Sequence, residues 1–393
     1  VSIVARATEE IAWSPALEQA CLGKGITTVY QPIVDIQRGV VAGYEALTRF
    51  AGPPAATPDK WFEAARERGC AAALEAACIR AALAGRSHLP AACFLSINVG
   101  PESIGDPAVT AALLEQPNLQ GIVLELTEHT PVGSYPELMA VLAGMRDRGA
   151  LVALDDAGAG YAGLQHILEL RPDFLKLDRA LVDGLDRDEA KRSLVDMIGT
   201  FASRIDAWVI AEGIEHSSEM AALVRLGIPL AQGYYLSRPA APWATLNPDA
   251  AAELTSLSDD RGDVSGPGIH AVRSVLETVP WIPSHRIEET STFLRSQARI
   301  DVVVVLDELD QVKGLLQATQ ADGATLVPAL RVNPTTSIAD AARRALTRRP
   351  ADRFLPLVCT DGAGRLMGVV RIERILDHLA GALETRLELA AEE

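Results

Sequence analysis

Between residue 28 and about residue 240, short apolar runs rich in Val, Ile, Leu and aromatic residues alternate with longer Ala- and Leu-rich stretches of helical period. Such alternation predicts repeated β/α units. Eight runs read as strands: TVYQPIVDI (28–36), VAGYEALTRF (41–50), CFLSINV (93–99), GIVLELTE (121–128), ALVALDD (150–156), DFLKLD (173–178), AWVIAEGIE (207–215) and LAQGYYL (230–236). Only a short turn carrying Gln37, Arg38 and Gly39 separates the first two. A parallel crossover needs about a dozen residues, so these two strands form a hairpin. The later runs are separated by helical patterns such as 61–83 and 190–205. The expected architecture is an α/β barrel with one reversed strand.

Polar residues fall at the ends of the later apolar runs: Asn98, Glu125 and Glu128, Asp155 and Asp156, Lys176 and Asp178, Glu212 and Glu215. In an α/β barrel the parallel strands deliver their C-terminal ends to one rim, where active sites lie. Any one of these carboxylates is equally well explained as a helix cap. The set is not, because caps would use Ser or Thr as readily, whereas these are oxygen donors suited to hard divalent cations, joined by one lysine. With Glu45 included, the carboxylates cannot all stay ionised in one cleft without compensating cations. Asp155 and Asp156, adjacent at one strand end, suit a pair of ions of the kind used in two-metal phosphoryl chemistry, which points to a phosphate ester as substrate.

Composition narrows the remaining classes. The 393 residues are 48% hydrophobic and 22% charged, which allows a sizeable core and suggests two folded parts. No apolar run reaches the roughly 18 residues of a membrane-spanning helix, and no signal stretch opens the chain, so it reads as cytoplasmic. The first residue is Val1 rather than Met, which reads as a piece of something longer. A net charge of −16 argues against a binder of nucleic acid polymers, and any anionic ligand needs local cations. The five cysteines are scattered without a CxxC pair, and the seven histidines show no ligand spacing.

The ordered blocks QPIV (31–34), EALTR (45–49), SINV (96–99), ELTE (125–128), DDAGAGYAGL (155–164), FLKLD (174–178), AEGIE (211–215) and AQGYYLSRP (231–239) resemble the EAL family of cyclic-di-GMP phosphodiesterases. The resemblance implies a modified TIM barrel with one antiparallel strand. It also implies hydrolysis of cyclic-di-GMP to linear 5′-pGpG with two Mg²⁺ or Mn²⁺ ions per site, in bacterial second-messenger signalling. By the same resemblance Glu45, Asn98, Glu125 and Asp155 bind one metal, and Asp155 and Asp156 bind the second with help from Glu212. Lys176 would orient the attacking hydroxide and Gln232 hold a bound water. Gln31, Leu47 and Arg49 would contact substrate, and Glu215 and Pro239 would line a guanine subsite. Asp178 is expected in the site on a different ground, because Lys176 and Asp178 alternate in a strand and so face the same side. Glu128 would hold the loop after Asp156. In that loop the family's Phe, Thr and Ser are replaced by Ala157, Ala159 and Ala162, so slower or more conditional catalysis is expected. The alternative is a weak or inactive cyclic-di-GMP receptor. Loss of a metal ligand would mark that alternative, and none is lost.

Residues 241–268, rich in Pro, Ser, Asp and Gly, read as a linker. The expected division is a barrel over 1–250, a linker over 251–268 and a smaller α+β domain over 269–393. Within the last, 302–316 resembles 355–370, with Asp307 matching Asp361, Val312 matching Leu366 and Gly314 matching Gly368, all offset by 54. The repeat resembles a degenerate tandem pair of CBS modules. Such pairs often bind adenine nucleotides, but the usual Thr and Asp after the repeated Gly are Arg371 and Arg374 in one copy and Gln317 and Gln320 in the other. A regulatory or dimerisation role with an unassigned ligand, and a homodimer, are expected; a plain spacer is an equal reading.

Overall fold

The computed structural model describes residues 13–91, 93–127, 134–157, 161–205, 207–259, 271–287, 302–307, 311–319, 323–334, 336–346, 348–349, 352–361 and 364–392. The chain divides into two compact units, one of Val1–Val195 with Val209–Leu257, the other of Asp196–Trp208 with Ser258–Glu393.

The first unit contains a closed barrel of eight strands in chain order: β1 (Ile26–Asp35), β2 (Val40–Phe50), β3 (Phe94–Asn98), β4 (Ile122–Thr127), β5 (Leu151–Ala157), β6 (Phe174–Leu177), β7 (Trp208–Ala211) and β8 (Leu230–Ala231). β1 is antiparallel to both of its neighbours, β2 and β8, as the short hairpin turn demands. The strand pairs from β2 through β6, and β7 with β8, are parallel. β3 and β4 are buried on both faces, which explains why their apolar runs are nearly continuous. Inside the barrel Phe94 packs on Phe174 with ring centroids 5.2 Å apart. Gly43 makes room for this pair, since a Cβ there would lie 2.5 Å from the Phe94 ring.

β7 and β8 stop earlier than their apolar runs suggest, at Ala211 and Ala231. Gly213 turns the chain with φ +72°, and the two following segments then bond to each other. Ile214 N donates to Gln232 O at 3.2 Å and Tyr235 N to Ile214 O at 3.0 Å. The approach is so close that a Cβ on Gly233 would lie 2.2 Å from the backbone N and O of Ile214.

Part of the expected linker is helical. Pro248–Asp259 forms a helix that buries Ala250 and Leu254, and Asn247 Oδ1 accepts from Asp249 N at 3.0 Å at its start. Glu253 on this helix accepts from Ser217 Oγ and Tyr235 Oη, tying it to the barrel. The i, i+4 spacing of Ala250 and Leu254 is the helical signal that the surrounding Pro, Ser and Asp obscure.

The second unit carries two sheets: β9 (Trp281–Pro283), β10 (Val302–Leu306), β11 (Val312–Thr319) and β12 (Gly323–Val327) in the order β12-β11-β10-β9, and β13 (Arg331–Val332), β14 (Leu357–Thr360) and β15 (Leu366–Val370) in that order. The internal repeat holds in detail. β10–β11 and β14–β15 are antiparallel hairpins with register shifts at Val305/Leu306 and Cys359/Thr360. Each is flanked by a parallel neighbour, β9 or β13. In the turns Asp307 Oδ1 accepts from Gln311 N and Asp361 Oδ1 accepts from Arg365 N. Gln311 and Arg365, equivalent at the offset of 54, pair with each other in an antiparallel bridge, so the two copies meet about an approximate two-fold axis. Arg371 and Arg374 do not stand free in solvent: their Nε atoms lie 3.3 and 2.7 Å from the two carboxylate oxygens of Glu277. Among the described residues no helix is long and apolar enough to cross a membrane.

Candidate active site

Four carboxylates, three on strands and one just past the end of β7, converge on one buried lysine. Lys176 on β6 is 1% exposed, and its Nζ lies 2.7 Å from Glu212 Oε1, 2.9 Å from Glu125 Oε2, 3.3 Å from Asp155 Oδ1 and 3.8 Å from Glu45 Oε1. β2, β4, β5 and the residue after β7 deliver these groups, as expected of a common rim. Glu45 is held on both oxygens: Asn98 Nδ2 donates to Oε1 at 3.0 Å and Gln232 Nε2 to Oε2 at 2.6 Å. Gln232 Nε2 also donates to Gln31 Oε1 at 3.0 Å, and Gln31 Nε2 donates to Ser237 O at 3.1 Å. Gln31 stands opposite Glu45 in the β1–β2 register.

Charge balance dominates this cluster. Four carboxylates against one ammonium leave three negative charges when all are ionised. Burial lifts Glu125 well above the usual carboxylate range; Lys176 opposes this, while Glu45, Asp155 and Glu212 add to it. Glu212 is pushed up to about 7 by burial, against Lys176 and with Asp155 and Glu45. For Lys176 burial works downward, but Glu125, Glu212, Glu45 and Asp155 outweigh it and hold the ammonium well above the ordinary lysine value.

Asp155 and Asp156 would face opposite sides of a regular strand. β5 breaks that rule: its pairing with β6 shifts between Leu154 and Ala157, and Asp156 has φ +60°, a conformation Asp tolerates better than most residues. Their adjacency is therefore compatible with one rim.

The other expected residues separate into groups. Leu47 is half-buried on β2, and Arg49 is exposed two residues on, its Nη1 donating to Thr48 O at 2.9 Å. Pro239 is half-buried, next to Ala240, which pairs with Tyr30 on β1. Asp178 lies just past the end of β6, so strand alternation does not aim it as it aims Lys176. Its Oδ1 accepts from Ala180 N at 2.7 Å and caps the short helix Arg179–Val182. Glu215 Oε1 pairs with Arg179 Nη2 at 2.9 Å. Glu128 lies outside the described residues, as do 158–160 and the side chains of Ala157 and Ala162.

Ser96 was not anticipated. It is fully buried and donates through Oγ to Glu125 Oε1. The signal was present in SINV: Ser96 and Asn98 are two apart on β3 and share a face. Arg179 was also missed, and nothing in its helical position distinguishes it from a solvent-facing arginine.

A profile for the EAL domain matches residues 15–239. The chain belongs to the EAL-domain family. A CBS-domain profile matches 327–381, the second copy of the repeat. The chain is 31% identical over 277 residues to the cyclic di-GMP phosphodiesterase NbdA of Pseudomonas aeruginosa, covering 65% of this chain and 35% of that protein. It is 28% identical over 220 residues to the cyclic di-GMP phosphodiesterase PdeL of Escherichia coli, covering 53% and 61%. It thus spans less than two thirds of the length of either relative. Among solved structures, the PaMucR phosphodiesterase in complex with c-di-GMP is 25% identical with a TM-score of 0.52, covering 58% of this chain and 97% of that one. The EAL enzyme Bd1971 in its cAMP- and cyclic-di-GMP-bound form is 26% identical with a TM-score of 0.52, covering 64% and 70%.

Whether the EAL site's residues suit a divalent cation is a question of donors and charge. All the gathered donors are oxygens, the choice of hard cations. The cluster holds more negative charge than Lys176 cancels, and Gln232 Oε1 is buried without a hydrogen-bond partner. As they stand the carboxylates close on the ammonium, and among the described residues no three acidic, histidine or cysteine side chains are grouped to hold an ion on their own. The donor set fits the cation in chemistry and charge.

Proposed function

We propose that this chain hydrolyses cyclic-di-GMP to linear 5′-pGpG, with Mg²⁺ or Mn²⁺ held by Glu45, Asn98, Glu125, Asp155, Asp156 and Glu212. The observation that carries the reading is the convergence of four carboxylates on Lys176 with a residual negative charge. Bound there, the ions would supply Lewis acidity toward the phosphodiester and lower the pKa of water. Lys176, kept protonated by its neighbours, offers a fixed positive charge where negative charge grows during attack on phosphorus. Gln232 fixes Glu45 and is itself held by Gln31, while Arg49 and Leu47 stand on the same strand as Glu45 to bind the dinucleotide, with Glu215 and Pro239 at the guanine end. Asp178 contributes through the segment it caps.

The barrel over 1–250 is proposed as the catalytic part and 269–393 as a regulatory or dimerising module. The assembly is proposed to be a homodimer. A cytoplasmic setting is supported by five thiols, none of them in a disulfide. The test is incubation of the full chain with cyclic-di-GMP and Mg²⁺ or Mn²⁺, beside Glu45→Ala, scored for 5′-pGpG. Product from the unaltered chain and at least a hundredfold less from Glu45→Ala supports the enzyme. Tight binding without product overturns it in favour of a receptor.

A further inference from the structure

Glu75, Glu219 and Asp340 are buried acids outside the carboxylate cluster, and the first of them grips the chain that leaves β3. Glu75, on the helix Ala71–Leu83, is 8% exposed, and both of its oxygens are engaged by the chain leaving β3. Oε1 accepts from Gly100 N at 2.6 Å, and Oε2 accepts from Ser103 Oγ. The segment it grips is a compact turn, in which Ser103 N and Ile104 N both donate to Gly100 O at 3.0 Å. Asn98, two residues before Gly100, ends β3 and is exposed, with Glu45 Oε1 as the acceptor for its Nδ2. Val99 N donates to Glu125 O at 2.9 Å. The stretch 98–100 is thus held on one side by the barrel ladder and on the other by Glu75.

We infer that Glu75 is a positioning residue: it anchors the turn after β3 so that Asn98 is presented to the metal-binding rim, a role that rests on the proposed metal site. A strand-end side chain with one hydrogen bond inherits its direction from the backbone that follows it. Groups hydrogen-bonded directly to a metal ligand typically alter metal affinity about 10–100-fold when removed, and Glu75, which acts one step further back through the Gly100 backbone, belongs at the lower end of that range. The amide of Glu75→Gln keeps the geometry, its oxygen accepting from Gly100 N and its NH₂ donating to Ser103 Oγ, because the hydroxyl can turn to Gly100 O at 3.2 Å. Glu75→Ala removes both bonds and leaves the Gly100 amide without a partner.

The experiment is calorimetric titration of the full chain with Mn²⁺ alone, without substrate, accompanied by thermal melts. Glu75→Ala is expected to weaken Mn²⁺ binding about tenfold or more, and Glu75→Gln to stay within about threefold of the unaltered chain. Should Glu75→Ala fail to fold, Ser103→Ala, which deletes one bond, is expected to weaken binding about threefold or more. A merely structural role would lower the melting temperature of Glu75→Ala or Ser103→Ala while leaving the Mn²⁺ dissociation constant unchanged, and that result overturns the inference. Glu45→Ala separates the two levels: if it too binds Mn²⁺ like the unaltered chain, the metal site itself is wrong, whereas loss in Glu45→Ala alone refutes only the role of Glu75.

Discussion

Replacing Lys176 by Met keeps most of the length of the side chain and removes the one cation that, among the described residues, pairs with the four carboxylates. Breaking a buried ion pair by deleting one partner costs about 3–5 kcal/mol. For a unit of this size each kcal/mol is about 2–4 °C, so the melting temperature of the barrel should fall by about 6–20 °C at alkaline pH. The pH dependence is the sharper test. Glu125 and Glu212 already have folded pKa values above that of an unfolded Glu, with Glu212 near 7. Such groups bind more protons folded than unfolded. Their contribution is therefore full below about pH 4.3, the unfolded value, and is lost as pH rises through the folded value. Without Lys176 both pKa values climb further, and the loss extends above pH 7. The gap between Lys176→Met and the unaltered chain should be small at pH 5 and widest at pH 8. Scanning calorimetry in EDTA at pH 5, 6.5 and 8 measures it. A gap that stays constant across this range refutes the electrostatic account, and Mn²⁺ at pH 8 should restore part of the lost stability.

Gly233→Ala should lower the melting temperature by several degrees and activity by at least tenfold, because its Cβ meets the Ile214 backbone at 2.2 Å and must separate the segments carrying Glu212 and Gln232. Melts and turnover on the same preparation check this, and unchanged values would mean that the contact relaxes freely. Arg49→Met should raise KM for cyclic-di-GMP about tenfold with kcat within about threefold, since an exposed arginine beyond the carboxylate cluster serves binding rather than bond breaking. A fall in kcat alone would place it in the chemistry.

The barrel was legible because its strands are short, evenly spaced and separated by helical runs, and because the β1–β2 turn is too short for a parallel crossover. The repeat at an offset of 54 was legible for a similar reason: paired Asp and Gly positions mark turns, and the side chains of Asp307 and Asp361 each accept from the backbone N–H four residues on. What sequence pattern missed was decided by contacts distant along the chain. Nothing local says that the backbone at 214 will stop β7 and β8 by bonding to 232 and 235, or that Glu253 will receive a serine and a tyrosine from the barrel. Arg371 and Arg374 illustrate the same limit, since their partner Glu277 lies more than ninety residues away.

The site divides along the same line. Glu125, Asp155, Lys176 and Glu212 were foreseeable because each falls towards the end of an apolar run, and a closed barrel turns that one-dimensional regularity into a common rim, whereas Glu45, midway along β2, was marked by the EALTR block alone. Alternation failed for Asp178, where the strand ends one residue too soon, and it is evaded at Asp155–Asp156 by a register shift with positive φ. Groups that hold the rim residues in place follow no such rule. Ser96 shares a strand face with Asn98 and lies within reach of pattern reasoning. Glu75 sits mid-helix among alanines, where a carboxylate reads as solvent-facing, and only the fold shows that it is buried against the turn at Gly100 and Ser103. The chemistry is therefore written in the strand ends, and the geometry that makes it usable in residues chosen by tertiary packing.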